Sequence, residues 1–352
     1  MQIQEHVPLA ALTTLQVGGP ARYFVEARTE ADVREAVDRA KSRAWPLFVL
    51  GGGSNLVVSD AGWPGLVLKM AVRGIEQRNE RGRALFAVAA GEDWDGFVAH
   101  GVAQNCAGVE CMSGIPGTVG GTPVQNVGAY GQEVRETITQ VRVLDLQTGE
   151  RRDLNNSECR FLYRTSIFNT TERGRHIVLR VTYLLCPGGA PRIEYADLKN
   201  YFAGRNVPPD LEETRQAVRN IRLSKAMLIV AGDADCRSAG SFFKNPVVST
   251  QQYEQLAARL ARPDEKLPCW PAGDGRVKVP AARLVEQAGF TKGWSRGPVG
   301  ISSKHALAIV NRGGATAADI VALKEEIQKR VCHEFGIELQ PEPVFVGFEW
   351  QR

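Results

Sequence analysis

An α+β chain of two or three domains is what the sequence predicts, on three observations. A helix backed by a strand occupies 29–50, a glycine run then leads into a strand where a dinucleotide fold would need a helix, and helices alternate with strands over the last third. At about 100 to 200 residues per domain, 352 residues that are 43% apolar suffice for that many cores.

Each element has its own local signal. Thr29 caps a helix with Val33, Ala36, Val37 and Ala40 on one face, and 47–50 reads as a short buried strand. Gly51, Gly52, Gly53, Ser54 and Asn55 follow, then the extended Leu56-Val57-Val58, the breakers Asp60, Gly62, Pro64 and Gly65, and a strand at 66–68. A Rossmann fingerprint is excluded, because position 56 is leucine and no helix follows to receive a pyrophosphate. A Walker A loop is excluded too, since no glycine precedes Lys-Ser or Lys-Thr. What survives is a nest of backbone N–H groups facing an anion.

A second glycine cluster spans 113–131, with six glycines and two prolines. It contains Ser113, Gly114, Ile115, Pro116, Gly117, Thr118, Gly120, Gly121, Asn126, Gly128, Ala129 and Tyr130. Glycine inside regular structure costs about 0.5–1 kcal/mol against alanine, so such a cluster points to backbone lying close against something flat or charged. Beyond it, 137–154 reads as a hairpin turning at Thr148-Gly149, and Asn156 or Ser157 opens a short turn of helix. Arg164 then stands among Phe161, Tyr163 and Phe168, where it either clamps a carboxylate or makes a structural ion pair. A strand at 176–185 breaks at 186–189, and 191–209 carries Tyr195 and Tyr201.

The helix at 210–225 is expected to open a separate domain near 212. Ser241 follows on a glycine turn, flanked by Gly240, two phenylalanines, Lys244, Asn245 and Pro246, so its hydroxyl is rigidly aimed. Helices at 249–260, 281–288 and 316–335 and a strand at 305–310 complete the region, and Glu342 stands between Pro341 and Pro343.

Composition narrows the function. A net charge of +4 with no basic run longer than two leaves nothing that resembles a nucleic-acid groove, and seven cysteines with no C-x-x-C spacing argue for reduced thiols over disulfides or zinc. No metal is expected. The N-terminus lacks the basic and apolar regions of an export signal, and no apolar run approaches 18 residues, so a soluble cytoplasmic protein is expected, away from membranes. Ser241-x-x-Lys244 has the spelling of an acylating serine, but Ser-Asp-Asn and Lys-Thr-Gly are both missing.

The order Gly-Gly-Gly-Ser-Asn, Ile-Pro-Gly-Thr-Val-Gly-Gly, Gln-Asn-Val-Gly-Ala-Tyr-Gly, Tyr-Arg-x-Ser, Gly-Ser-Phe-Phe-Lys-Asn-Pro and Pro-Glu-Pro closely resembles the UDP-N-acetylenolpyruvoylglucosamine reductases, over nearly the whole chain. The resemblance implies a vanillyl-alcohol-oxidase-type FAD domain of two α/β subdomains, at 1–72 with 337–352 and at 73–211, and a substrate domain at 212–336. It also implies FAD and NADPH as cofactors, UDP-N-acetylglucosamine enolpyruvate as substrate, and a monomer. Hydride passes from NADPH through FAD to the vinyl CH2 carbon. By the family pattern Arg164 holds the substrate carboxylate, a protonated Glu342 helps it accept charge, and Ser241 gives a proton to the neighbouring carbon. Residues 51–56 and the named members of the 113–130 cluster fall to FAD, while Tyr163, Tyr195, Lys225 and Asn245 fall to substrate or NADPH. Tyr195 on its loop points to the longer, type I branch. Thr13 departs from the asparagine many members carry.

Overall fold

In the computed structural model, which describes residues 1–80, 82–260 and 266–348, the chain divides into two units. The first comprises 1–7, 21–53 and 63–229, and the second 8–20, 54–62 and 230–352.

Two sheets share one core in the first unit. One has the order Gln4–Pro8, Pro20–Ala27, Trp63–Met70, Leu47–Leu50, with the last three strands parallel. The helix Glu30–Ser42 covers it, held at its start by a capping box in which Thr29 and Asp32 each bond the other's backbone N–H. The other sheet is antiparallel, ordered Arg151–Asn155, Ile138–Asp145, His176–Pro187, Arg83–Ala89, Ile75–Glu80. Val181, Tyr183 and Leu185 alternate inward from its central strand opposite Val88, Phe86 and Ala84. The helix Trp94–Ala103 closes this core with Trp94, Phe97 and Val98.

Several elements depart from the sequence reading. The strand Trp63–Met70 begins before the expected 66, because the Pro64 and Gly65 breakers sit inside its first half. No helix opens at Asn156 or Ser157; 156–160 is a turn, and a 3-10 turn follows at Ile167–Asn169. The helix Leu211–Ser224 lies in the first unit, where Ala217, Val218 and Ile221 pack on Cys111, Tyr130 and Leu198, so the change of unit falls after Ile229 and not near 212.

In the second unit the helix Ala317–Phe335 is capped by a Thr316–Asp319 box and by Asp60, whose carboxylate accepts the N–H groups of Ala317 and Ala318 at 2.7 and 2.9 Å. Gly336 ends it at φ +67, as expected of a left-handed glycine cap. The small antiparallel sheet Ser295–Arg296, Val299–Ile301, Ile309–Asn311 packs against it, and a second one, Val247–Ser249, Arg276–Lys278, Trp270–Pro271, lies in the same unit beside the helix Thr250–Leu260. The strand expected at 305–310 is therefore shorter and later, because 302–308 folds as a turn. Val344–Val346 pairs parallel with Leu56–Val58. All seven cysteines are free thiols.

Candidate active site

Backbone, not side chain, shapes the glycine regions of the first unit. Gly51 and Gly52 lie directly on the second cluster: a Cβ on Gly52 would fall 2.4 Å from Gly117 Cα, and one on Gly51 2.9 Å from Thr118 Oγ1. Lys69 donates to Gly51 O, and burial lowers its pKa. The two glycine segments, some sixty residues apart in sequence, thus form one shelf. Gly53, Gly114 and Gly117 take φ of +69, +71 and +128, and Gly120 packs so tightly that a Cβ would stand 2.6 Å from that of Ala90. Ile115 packs on the unit's core, whereas Ser113 turns its hydroxyl back to Glu110 O at 2.6 Å.

Asp95, in the first turn of its helix, anchors this shelf. It accepts Gly114 N–H at 2.6 Å and two bonds from Arg215 at 2.6 and 3.1 Å, and is also paired with Arg219. Burial pushes its pKa up, but the Arg215 and Gly114 bonds outweigh that and hold it below the usual carboxylate range.

The next stretch holds the arginine. Gly128–Ala129 and Gln132–Glu133 form a hairpin whose central residues, Tyr130 and Gly131, have φ +48 and +87, the signature of a type I′ turn. Asn126 is fully buried; its amide donates to Glu133 and to Leu162 O, both at 3.0 Å, so its side chain braces the loop. Arg164 sits at φ +54 in the turn closed by Leu162 and Thr165. Its Nη2 donates to Gly128 O at 2.8 Å and its Nη1 to Asn126 O at 3.4 Å, while the guanidinium lies 5.4 Å from the Tyr163 ring. The plane of the guanidinium is thereby fixed by the same loop that carries the flavin-assigned residues.

Tyr130 meets Tyr195 edge to face at 5.5 Å, and burial pushes its hydroxyl pKa up to about 12. Tyr195 immediately precedes the short helix Ala196–Tyr201, and Asp197 in that helix takes the Lys225 ammonium at 2.5 Å. Tyr130, Tyr195 and Lys225 are therefore gathered in one place. Buried Arg222 stands beside them; its Nη2 donates to Met227 O at 2.6 Å. Among the described residues its Nε has no hydrogen-bond partner, and a Cβ on Gly114 would lie 3.4 Å from it.

The second unit holds the serine. Gly240 has φ +73 with open space around it, so its glycine is required by backbone conformation and not by crowding. Phe242 N–H donates to Leu307 O at 2.8 Å, Lys244 N–H to Gln340 O and Glu342 N–H to Phe242 O, both at 2.9 Å, with Phe243 opposite Pro341. This ladder sets Glu342 one residue from Ser241 along the pairing. Asn55 donates to Glu342 O at 3.3 Å, and the Thr14 hydroxyl donates to Ser238 O at 2.6 Å while standing 3.3 Å from Ser54 O, which ties Ser54 and Asn55 to the same region. Leu56 opens the strand beside them. Thr13, the departure from the family spelling, accepts Gln16 N–H at 3.2 Å and braces its own turn.

Asn245 is occupied otherwise than expected for a ligand contact. Its Oδ1 accepts Ala281 N–H at 3.0 Å and caps the helix Ala281–Gln287. The sequence reading missed His305, whose Nε2 lies 3.0 Å from Ser241 Oγ. Sixty-four positions separate the two residues, so no spacing signal could join them. It equally missed Asp95 and Arg222, which read locally as ordinary charges on helices.

Residues 21–155 match the family described as FAD binding domain, and 232–346 the family described as UDP-N-acetylenolpyruvoylglucosamine reductase, C-terminal domain. The chain is 45% identical to the UDP-N-acetylenolpyruvoylglucosamine reductase of Thermobifida fusca, with 97% of each chain covered. It is also 45% identical to that of Nocardia farcinica, over 98% of this chain and 90% of the other. A solved structure of the Thermus caldophilus reductase matches with a TM-score of 0.66 at 25% identity, covering 98% of this chain and 99% of that one. These matches span both units, and the chain belongs to the UDP-N-acetylenolpyruvoylglucosamine reductase family.

Proposed function

We propose that this chain is an FAD-dependent oxidoreductase that reduces UDP-N-acetylglucosamine enolpyruvate to UDP-N-acetylmuramate with NADPH, a cytoplasmic step of bacterial peptidoglycan synthesis. The observation that carries this reading is the ladder of 242–244 against 340–342, which holds Ser241 and Glu342 one residue apart. The residues present also fit the cofactor. The shelf where Gly51 and Gly52 meet Gly117 and Thr118 leaves no room for a Cβ, and buried Arg222 offers an Nε donor beside it, as a flat anionic dinucleotide requires.

When bound, FAD supplies the ring that takes hydride from NADPH and passes it to the vinyl CH2 carbon of the substrate. Hydride addition there leaves negative charge on the adjacent carbon, shared with its carboxylate. Arg164, its plane locked by Gly128 O and Asn126 O, holds that carboxylate, and a protonated Glu342 supports the charge without adding a second anion. The Ser241 O–H bond breaks as the new C–H bond forms. Tyr163, Tyr195 and Lys225 receive the nucleotide portions. Tyr195 and Lys225 are tied through the helix that carries Asp197, which supports a shared task.

The test is anaerobic. The purified protein is expected to be yellow, NADPH to bleach it, and the UDP-sugar to restore the colour. Folded protein that carries no flavin would count against the reading, as would reduced protein that the UDP-sugar leaves bleached.

A further inference from the structure

We infer that His305 is a positioning residue for proton delivery: its Nε2–H donates to Ser241 Oγ, aiming the serine's own proton outward and holding the alkoxide left when that proton departs. The inference rests on the proposed role of Ser241 as acid. Its observation is the 3.0 Å contact between the two side chains. A hydroxyl has one hydrogen to give. If Ser241 spent it on His305, none would be directed at the substrate, so the bond must be one that the serine accepts. That places a proton on Nε2 of the ring. The familiar serine–histidine pair of hydrolases runs the other way, with imidazole accepting and serine becoming a nucleophile. Here the same two residues are used in reverse, with a donor aimed at the oxygen on which charge develops.

The turn that carries His305 is built to hold it still. Asp235 is buried, at 5% exposed, and its Oδ2 accepts Ser302 Oγ at 3.1 Å, Ser303 N at 2.9 Å and Ser303 Oγ at 2.6 Å. Ser302 Oγ in turn accepts the N–H groups of Lys304 at 3.1 Å and His305 at 3.2 Å. Lys304 is paired with Asp233 at 2.8 Å. From the other side, Phe242 N–H donates to Leu307 O at 2.8 Å, so the serine strand and the histidine turn are fastened together two residues beyond His305.

The proton balance is simple. The Ser241 O–H bond breaks as a C–H bond forms at the carbon next to the one that took hydride. The alkoxide stays hydrogen-bonded to Nε2–H and regains a proton from water once product has left.

The test compares His305→Ala with His305→Gln in the FAD-loaded protein, timing reduction by NADPH and reoxidation by the UDP-sugar separately. Alanine is expected to slow reoxidation about 10²-fold more than reduction, the usual effect of removing one donor from a developing oxyanion. Glutamine, whose amide N–H donates but does not titrate, is expected to recover to within about tenfold of the parent. Nitrogen-15 NMR of the histidine-labelled parent, assigned by the signal lost in His305→Gln, is expected to show Nε2 carrying hydrogen. The inference is overturned if glutamine is as slow as alanine, if alanine is as fast as the parent, or if Nε2 carries no hydrogen. Should the alanine variant not fold, glutamine and the NMR signal decide. Parent protein that NADPH bleaches and the UDP-sugar cannot reoxidise would sink the proposed function instead, while the NMR signal still reports the direction of the bond.

Discussion

The glycine shelf of the first unit and the serine ladder of the second solve opposite problems. At Gly52 the chain meets the backbone of Gly117 and Thr118, with Gly51 against the Thr118 hydroxyl, and what matters is the side chains that are not there. At Ser241 the space beside Gly240 is open, and what matters is one hydroxyl brought to a chosen place by a left-handed glycine, a ladder and a histidine. A surface made of backbone fails when an atom is added. A site made of a side chain fails when one is removed. The two regions are therefore expected to respond to different kinds of substitution in different assays.

The largest effect is expected at the hydroxyl. Ser241→Ala removes a general acid, for which 10²–10⁴-fold is usual, so reoxidation by the UDP-sugar is expected to slow about 10³-fold, or about 4 kcal/mol of barrier. Flavin content is expected to persist, because the substitution removes one hydroxyl and adds no atom to the glycine shelf. Stopped-flow absorbance separates the half-reactions, and equal slowing of both would contradict the assignment.

Next comes the shelf. Gly52→Ala would place a methyl 2.4 Å from Gly117 Cα, which is backbone and cannot swing aside. Overpacking of this kind costs about 1–3 kcal/mol, and the variant is expected to purify with depleted flavin and a lowered melting temperature. Gly121→Ala is the paired control, since a Cβ there meets nothing within 4 Å. Its melting temperature is expected to match the parent; an equal drop in melting temperature at both positions would mean that close packing is not what Gly52 serves.

The two regions were also unequally legible in the sequence. Local chemistry announced itself: Thr29, Thr316 and Gly336 cap the helices that their residue types predict, and the triple glycine runs into a strand. The likeness of motifs named Arg164, Ser241 and Glu342, but only the ladder 242–244 with 340–342 shows that Ser241 and Glu342 are neighbours, about a hundred positions apart in the chain. His305 stayed hidden for the same reason, as did the contact of Gly52 with Gly117, because long-range pairing leaves no periodicity to read. The helix Leu211–Ser224 was assigned to the wrong side of the domain change because its apolar face shows that it packs and not against what.

Asp95 offers a smaller test of how the shelf is held. Its folded pKa lies below the unfolded value, so its charged form stabilises the fold above about pH 4, and that contribution is lost as pH falls through the folded pKa. Asp95→Asn keeps an acceptor for Gly114 N–H but abandons the charge that Arg215 and Arg219 share, and it is expected to cost about 1–2 kcal/mol near pH 7. Denaturation at pH 7 and below pH 4 measures it. The deficit is expected to shrink in acid, and one that stayed constant with pH would show that the charge is not what matters.

The smallest effect belongs to the residue over which the two kinds of design disagree. Asn245 was read as a ligand contact, yet its Oδ1 caps the helix Ala281–Gln287 through Ala281 N–H. Loss of a side-chain cap costs about 1 kcal/mol, so Asn245→Ala is expected to lower stability by that amount. Asn245→Asp retains the acceptor and is expected to keep that stability, while its new charge repels an anionic nucleotide. If the aspartate variant keeps both the melting temperature and the parent KM for the UDP-sugar, Asn245 is a cap alone. A raised KM at unchanged stability shows one side chain doing both jobs, its oxygen for the helix and its NH2 for the ligand.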